Sequence, residues 1–366
     1  MGKRGYLILE NGEVYSGSSF GYQKDVWGEV VFNTGMTGYP EGFTDPSYYG
    51  QILTMTYPLI GNYGVPSPKI INGLPLYFES DKIHIRALIV STYIPENSHW
   101  QSVETLGDWL KGEHIPALFG IDTRTLTQTI RQFGVLKGAI TFQPRPKSSG
   151  FLFKDINKDN IVASVSCTKL ITYGSGKNRI LFFDCGAKFN QIRLLLNYDT
   201  TVLRVPWDYN PFAEKLNFDA IMISNGPGDP KMAGTTIEVI REALKRKIPT
   251  LGVCLGNQIL ALAAGFNTYK LKYGHRGQNQ PVRDDTSGHC YITTQNHGFA
   301  VDTRSIPAGW NPWFTNLNDG TNEGIRHKSL PFFSTQFHPE DTPGPTDTRW
   351  IFDFFINEVA RWKKRN

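Results

Sequence analysis

The sequence predicts an α/β protein in which a mixed α+β domain precedes a domain with a mainly parallel sheet covered by helices. Its 366 residues are enough for two domains of roughly 150 residues each. Hydrophobic residues make up 40% of the chain and aromatic residues 13%, whereas charged residues make up only 19%, and this composition excludes intrinsic disorder. Beyond residue 179, apolar strand patterns alternate with helical patterns, and this alternation predicts the parallel sheet.

The first domain is predicted from short strands, turns and two helices. Asn11-Gly12 favours a type I′ turn, so the strands on either side of it are expected to form a hairpin. Leu126, Ile130 and Phe133 have helical spacing. The predicted strands cover residues 6–10, 13–15, 29–32 and 51–57, and the predicted helices cover residues 105–111 and 122–133.

The second domain is predicted from the strand and helix alternation. Its expected strands cover residues 180–184, 201–206, 220–224 and 249–253, and its expected helices cover residues 190–197, 236–247 and 255–265. Two stretches rich in Gly, Pro, Ser and Lys, at 143–150 and 171–178, have the composition of connecting segments. We therefore expect a first domain over 1–150, a linker over 151–178 and a second domain over 179–366.

Charge and apolar patterning exclude several classes of function. The formal net charge of +5 is too small for this length to predict binding to nucleic acid or to an anionic membrane. No apolar run approaches the ~18 residues that cross a bilayer, and the apolar run near the N-terminus is too short for a signal peptide. The four cysteines are widely spaced and predict neither disulfides nor a zinc site. We expect a cytoplasmic protein without a metal site.

Cys254 is the strongest candidate for a nucleophile. It lies where an apolar strand runs into an apolar helix, inside Gly252-Val-Cys-Leu-Gly256, the pattern of a nucleophile elbow with sulfur in place of oxygen. Only glycines fit two residues to either side of so sharp a turn, and the helix N-terminus favours the thiolate form. The alternative is a buried apolar cysteine. Cys167, Cys185 and Cys290 lack the glycine frame, and for them we retain this alternative.

His338 is the best candidate for the accompanying base. It ends a predicted strand and stands in the sequence His338-Pro-Glu340. A carboxylate on one imidazole nitrogen fixes the tautomer that leaves the other nitrogen free to accept a proton. The expected order is therefore Cys, His, Glu. The alternative is a structural histidine, and the other seven histidines show no spacing suited to a metal site.

Two further segments are weaker candidates. The loop with Gly226-Pro-Gly228 follows a predicted strand, and its backbone N–H groups could complete an oxyanion hole with that of Leu255, although it could equally be an ordinary turn. The segment 295–299, QNHGF, is polar and then aromatic and could recognise an amide substrate. Neither GxxxxGK[ST] nor GxGxxG occurs, so a phosphate loop is not expected.

Taken in order, SNGPGDP, GVCLGNQ, QNHGF and FHPE make the second half resemble a class I, triad-type glutamine amidotransferase. The first half resembles the small, glutaminase subunit of carbamoyl-phosphate synthetase in its segments FNTGMTGYPE, TDPSY, YPLIGN and GIDTR. DCGAKFN, GQNQP and NDGTNEG extend the resemblance through the second half, so that it covers essentially the whole chain.

The resemblance implies a glutaminase mechanism. Cys254 would attack the side-chain amide of glutamine, assisted by His338, with Glu340 orienting the imidazole. The expected glutamine-binding positions are Ser47, Gly226, Gly228, Leu255, Gln258, Asn296, Gly298 and Phe299. Ammonia would pass to a large synthetase, a separate subunit or fused domains, which makes carbamoyl phosphate from bicarbonate and ATP. No cofactor is expected in this chain, because ATP and Mg²⁺ would bind the large partner.

The chain departs from the family pattern at Asn257, where many members have His. We expect this change to alter the polarity of the site without abolishing the chemistry. A branch of the family has lost the nucleophilic cysteine and uses free ammonia, and the presence of Cys254 argues against that branch here. Two alternatives stay open: a different class I amidotransferase or hydrolase, and a scaffolding module with a vestigial triad.

Overall fold

A computed structural model describes residues 2–144, 151 and 153–365. It contains two compact units, one formed by residues 1–70 and 75–159 and the other by residues 71–74 and 160–366. The predicted boundary at residue 150 and most of the predicted connecting segment 143–150 lie outside the described residues.

The first unit is built on a seven-stranded closed barrel. The strands of the first part of the chain are β1 (Arg4–Leu9), β2 (Val14–Ser19), β3 (Val26–Asn33), β4 (Gln51–Met55), β5 (Val65–Pro66), β6 (Ile70–Ile71), β7 (Leu74–Pro75), β8 (Ala87–Val90), β9 (Ser102–Glu104), β10 (Ala117–Phe119) and β11 (Leu136–Thr141). The barrel has the order β1-β11-β3-β4-β8-β10-β2. Strands β3, β4, β8 and β10 pair in parallel, and the other neighbours pair antiparallel.

Three helices accompany the barrel, namely α1 (Tyr39–Thr44), α2 (Leu106–Gly112) and α3 (Thr123–Phe133). Thr105 caps α2 and Asp122 caps α3, each accepting a hydrogen bond from a backbone N–H of the first turn. Leu126 and Ile130 of α3 are buried, as their spacing predicts, whereas Phe133 at the end of the same pattern is exposed. The predicted hairpin and both predicted helices are confirmed.

The second unit is built on a ten-stranded sheet. Its strands are β12 (Ile171–Tyr173), β13 (Asn178–Asp184), β14 (Thr200–Pro206), β15 (Ala220–Ile223), β16 (Thr250–Val253), β17 (Asn267–Asp284), β18 (Cys290–Asp302), β19 (Trp310–Asn316), β20 (Asn322–His327) and β21 (Phe332–Thr335), in the order β12-β14-β13-β15-β16-β21-β20-β19-β17-β18. The run β14-β13-β15-β16-β21 is parallel, as predicted, and the remaining neighbours pair antiparallel.

The parallel strands are buried on both faces, which explains why they are continuously apolar in sequence. In β13, Leu181 and Phe183 belong to the hydrophobic core on one face, and Ile180 and Phe182 to the core on the other. The helices of this unit are α4 (Phe189–Leu195), α5 (Gly234–Lys245), α6 (Leu255–Ala264) and α7 (Trp350–Lys363). Among the described residues, no helix has both the length and the apolar character needed to span a membrane.

Candidate active site

Cys254 occupies the turn between β16 and α6 with a strained backbone. Its φ of 56° and ψ of −103° lie in a region that residues other than glycine rarely adopt. Strain of this kind costs about 1–3 kcal/mol and persists only where the surrounding structure imposes it. Here the backbone N–H of Cys254 donates to the carbonyl oxygen of Thr335 in the neighbouring strand, at 2.8 Å. The elbow predicted from sequence is therefore present.

The flanking glycines are required by close backbone approach. A Cβ on Gly252 would lie 2.3 Å from the carbonyl oxygen of Gly256, and a Cβ on Gly256 would lie 2.2 Å from that of Ile223. Real Cβ atoms do not approach other atoms so closely. Close contact with neighbouring backbone atoms therefore explains why glycine stands two residues before and two residues after Cys254.

The thiol of Cys254 lies at the N-terminus of α6 and is buried, with only 1% of the residue exposed. Its Sγ is 3.7 Å from the carbonyl oxygen of Asn296 in β18. Leu255 is the first residue of α6, where a backbone N–H has no partner within the helix. A developing negative charge above the thiol would meet this N–H and the positive end of the helix dipole.

His338 and Glu340 form a buried pair beyond the end of β21. The Nδ1 of His338 donates to Oε1 of Glu340 at 2.7 Å, and both residues are at most 1% exposed. Within the described part of the chain, Nε2 of His338 has no hydrogen-bond partner. Burial alone would lower the pKa of His338, but the charges of Glu340 and Cys254 outweigh burial and raise it to about 10. This arrangement stabilises an imidazolium beside the thiol.

The carboxylate of Glu340 is held by groups from the segment after β13. Lys188 is buried, and its Nζ is 3.3 Å from Oε1 of Glu340. Nε2 of Gln191 donates to the same oxygen at 3.1 Å. Burial favours the neutral acid, but the charges of Lys188 and His338 outweigh it and lower the pKa of Glu340 to about 2. Glu340 is therefore an anion at neutral pH.

The glycine-rich loop after β15 packs against the start of α6. A Cβ on Gly226 would lie 2.0 Å from the carbonyl oxygen of Cys185 and 2.8 Å from Cδ2 of Leu255. Gly228 has a φ of 86°, which favours glycine. The loop therefore lies beside the helix N-terminus that carries Leu255.

The segment 295–299, which the structure places in β18, also reaches this region. Nε2 of Gln258 in α6 donates to the carbonyl oxygen of Phe299 at 2.8 Å, and Asn296 accepts from the thiol. Gly298 lies between Asn296 and Phe299 in β18. The second unit thus brings together the three predicted catalytic residues and the predicted glutamine-binding positions that lie within it.

Two family models match the chain, one for each part. Residues 7–140 match the carbamoyl-phosphate synthase small chain, CPSase domain, and residues 181–358 match glutamine amidotransferase class-I. The chain belongs to the carbamoyl-phosphate synthase small-chain family. Its second part is a class I glutamine amidotransferase domain, as the sequence motifs indicate.

Curated relatives match nearly the whole chain. The Multifunctional protein pyr1-3 of Dictyostelium discoideum is 49% identical over 98% of this chain and 17% of its own length. The human Carbamoyl-phosphate synthase [ammonia], mitochondrial is 46% identical over 98% of this chain and 24% of its own length. The Multifunctional protein CAD of Squalus acanthias is 48% identical over 97% of this chain and 16% of its own length. The chain therefore spans about a quarter or less of these relatives.

Ser47, a predicted glutamine-binding position, and Asn257, the departure from the family pattern, both have polar contacts within the protein. Ser47 lies in the first unit, where it is buried in a short 3₁₀ helix and its backbone N–H donates to Asp45. Asn257 is fully buried, and its side chain contacts Gln336 and Ser334.

One histidine cluster was missed by the sequence analysis, which found no metal-like spacing. The ligating atoms of His275, His297 and Glu323 all lie within 4.8 Å of one another. However, Nε2 of His275 is 2.9 Å from Asp319 and its Nδ1 is 3.5 Å from Glu323. Burial opposes protonation of His275, but hydrogen bonds to Asp319 and Glu323 outweigh it and raise its pKa to about 9. The two ring nitrogens of His297 contact the carbonyl oxygen of Phe299 and Oε1 of Gln295, so both histidines of the cluster have polar partners within the protein.

Lys188, Gln191 and Gln336 are the other site residues that sequence reasoning missed. Lys188 belongs to the DCGAKFN segment, which carried the family resemblance but no assigned role. The structure shows Lys188 to be buried, and a buried ammonium needs an anionic partner, which here is Glu340.

Proposed function

We propose that this chain is the glutamine-hydrolysing component of carbamoyl-phosphate synthetase, which converts L-glutamine to glutamate and ammonia through a cysteinyl thioester. One observation carries the proposal: a thiol on a strained elbow shares a buried site with a His–Glu pair whose imidazole Nε2 has no other partner. A nucleophile, a base and an orienting carboxylate are the parts that acyl transfer requires.

The first half-reaction forms the thioester. The thiolate sulfur of Cys254 bonds to the side-chain carbonyl carbon of glutamine, and the carbonyl electron pair moves onto oxygen. The N–H of Leu255, together with the loop of Gly226 and Gly228, stabilises this oxyanion. The oxyanion then collapses, the C–N bond breaks, and Nε2 of His338 gives its proton to the leaving nitrogen, which departs as ammonia.

The second half-reaction releases glutamate. His338, now neutral and held by Glu340, takes a proton from water, whose oxygen attacks the thioester carbon. Collapse of this second oxyanion breaks the C–S bond and restores the thiolate–imidazolium pair. Removal of one oxyanion donor typically costs about 3–4 kcal/mol of activation free energy, so the elbow supplies a large part of the rate.

The substrate contacts follow from the family. Gln258, Asn296, Gly298 and Phe299 hold the glutamine in the second unit, and Ser47 is a further glutamine-binding position that the family motif indicates. The support for the first four is their grouping around the thiol in α6 and β18. For Ser47 the support is the sequence motif.

The ammonia passes to a large synthetase, either a separate subunit or domains of the same polypeptide. There, ATP, Mg²⁺ and bicarbonate would yield carbamoyl phosphate for pyrimidine or arginine biosynthesis. Two observations support this. The relatives are several times longer than this chain, and the three described above are named as multifunctional proteins or as a carbamoyl-phosphate synthase. We place the reaction in the cytoplasm.

The name of the human relative, Carbamoyl-phosphate synthase [ammonia], favours a second candidate, a domain that supports a synthetase without hydrolysing glutamine. The intact triad geometry of this chain argues for the glutaminase. The two candidates differ in one outcome, the formation of a covalent intermediate on Cys254.

The test traps that intermediate. The chain is incubated with glutamine, with and without a synthetase partner, quenched in acid, and analysed by intact mass and peptide mapping. We expect a glutamyl adduct on Cys254 that is absent in Cys254→Ala and present in the matched control Cys290→Ala, since Cys290 is exposed. Absence of an adduct even with the partner, where a known glutaminase is trapped, would replace the glutaminase by the scaffold.

A further inference from the structure

We propose that the side-chain amides of Gln336 and Asn257 form a clamp that fixes the distance between Cys254 and His338. The clamp deepens the proposed glutaminase function and rests on it. In this role Asn257 and Gln336 are positioning residues, because their hydrogen bonds go to each other and to neighbours of the catalytic groups.

The two catalytic segments are joined by strand pairing only up to the elbow. The parallel ladder between β16 and β21 ends at Val253 and Thr335, and the N–H of Cys254 bonds to Thr335. Beyond this point the chain turns into α6 on one side and into the loop of His338 on the other. Further links between them have to come from side chains.

Gln336 supplies these links from the His338 side. Its Oε1 accepts from Nδ2 of Asn257 at 3.0 Å and from Nε2 of Gln258 at 3.0 Å. Both lone pairs of this oxygen are therefore used. The backbone N–H of Gln336 donates to Glu323 in β20, which anchors the segment from the other direction. Gln336 is fully buried and stands two residues before His338.

Asn257 supplies the links from the nucleophile side. It stands three residues after Cys254 in the first turn of α6, and it too is fully buried. Its Nδ2 donates to Gln336, and its Oδ1 accepts from Oγ of Ser334 at 2.7 Å. One amide thus contacts the β21 segment at two points, Ser334 and Gln336, on either side of Thr335. This contact holds the segment that leads to His338 against the turn that carries the thiol.

The clamp also explains how His is accommodated at this position in other family members. An imidazole offers one N–H donor and one acceptor nitrogen, the same pair of functions that the Asn257 amide uses here. A side chain with neither function leaves buried donors and acceptors without partners. We therefore expect Asn257→His to retain the clamp and Asn257→Leu to break it.

The kinetic test uses Asn257→Leu, Gln336→Met and the double variant. Misplacement of reacting groups by about 1 Å costs up to ~100-fold in rate, so we expect Asn257→Leu to lower kcat for glutamine hydrolysis by roughly 10- to 100-fold. KM for glutamine should stay unchanged in this variant. Because the two amides share one hydrogen bond, the loss in the double variant should be smaller than the product of the two single losses. Asn311→Leu and Gln128→Met are matched controls at exposed positions.

A second readout does not depend on glutaminase activity. The rate of Cys254 alkylation by iodoacetamide is measured as a function of pH, because an imidazolium held close to the thiol promotes the thiolate. We expect Asn257→Leu to lower the alkylation rate at neutral pH and Asn257→His to restore it. One outcome is that the wild type hydrolyses no glutamine while the alkylation profile of Asn257→Leu still differs from that of the wild type. In that case the proposed function fails and the clamp stands.

Unchanged kcat and an unchanged alkylation profile in folded Asn257→Leu and Gln336→Met would overturn the clamp. So would additive losses in the double variant. Circular dichroism establishes folding. If Gln336→Met does not fold, Asn257→Asp, which keeps the acceptor for Ser334 and loses the donor to Gln336, decides alone by the same two readouts.

Discussion

Strands β13 and β16 belong to the same sheet, and each is followed at its carboxyl end by a cysteine. The surroundings of the two thiols differ. Cys185 follows β13 and Cys254 follows β16, and the two residues are 0% and 1% exposed. Burial and the neighbouring Asp184 carboxylate raise the pKa of the Cys185 thiol, which keeps it protonated. Cys254 instead has the imidazole of His338 beside it. Strand position and burial alone therefore do not identify a nucleophile.

The backbone separates the two cysteines as clearly as the electrostatics. Cys254 has a positive φ of 56°, whereas Cys185 is not among the residues with positive φ. The segment after β13 still serves the site, because Lys188 reaches the carboxylate of Glu340. One strand end carries the proposed nucleophile, and the other carries the lysine that pairs with Glu340. The difference teaches that a catalytic cysteine is recognised by its backbone and its partner.

The largest expected effect sharpens this contrast. His338→Asn removes the group that distinguishes the two cysteines, and we expect glutamate release to fall by about 10²- to 10⁴-fold, the usual contribution of general acid–base catalysis. Cys185→Ala should retain the wild-type rate, since its thiol has no base. The measurement is glutamate production under saturating glutamine. A comparable loss in Cys185→Ala would break the comparison.

The next largest effect is expected for Lys188, which follows β13 and pairs with Glu340. Lys188→Met removes one of the two cationic partners of the buried Glu340 carboxylate and leaves His338. Removing the partner of a buried charge typically costs about 3–5 kcal/mol, and we expect a smaller destabilisation here because His338 stays. Lys245→Met is the matched control, because Lys245 is exposed and pairs only loosely with Glu242, at 3.9 Å. Urea denaturation of both variants measures the difference in the free energy of unfolding.

The same substitution predicts a change in acid stability. The pKa of Glu340 is about 2 in the folded chain against an ordinary value of 4.5, so its stabilising contribution is present above pH 4.5 and is lost as the pH falls towards 2. Loss of the Lys188 charge moves the folded-state pKa of Glu340 back towards 4.5. The Lys188→Met variant should therefore lose less stability than Lys245→Met as the pH falls from 4.5 to 2, because the difference between the folded and unfolded pKa of Glu340 is smaller. Identical acid profiles would show that Lys188 does not support Glu340.

The sequence predicted the parallel half of the second unit, which the structure confirms, and proposed Cys254, His338 and Glu340 as catalytic residues, because each of these predictions rests on local signals. Strand and helix periods, the glycines around Cys254 and the His-Pro-Glu segment are all readable within a few residues. The closed barrel was not reached, since its closure depends on pairing β1 with β11, whose residues are more than 120 positions apart. The antiparallel extension through β17 and β18 was missed because these strands are partly exposed and carry glycines and charged residues.

Lys188 and Gln336 were missed for a related reason. Their partners, Glu340 and Asn257, lie 152 and 79 positions away in sequence, and no local pattern connects them. A buried polar residue is explained only by the group that satisfies it, and that group is identified only by the fold. The supporting shell of a site is therefore less predictable than its reacting groups.

The smallest expected effect tests the backbone strain directly. Cys254→Gly and Cys185→Gly remove the same side chain from two equally buried positions. Only the first also relieves a positive φ, which costs an L-residue about 1–2 kcal/mol, so Cys254→Gly should be less destabilising than Cys185→Gly by about that amount. Paired urea denaturation curves measure this difference. Equal destabilisation would mean that the elbow at Cys254 is not strained, and that its chemistry rests on His338 and the helix N-terminus alone.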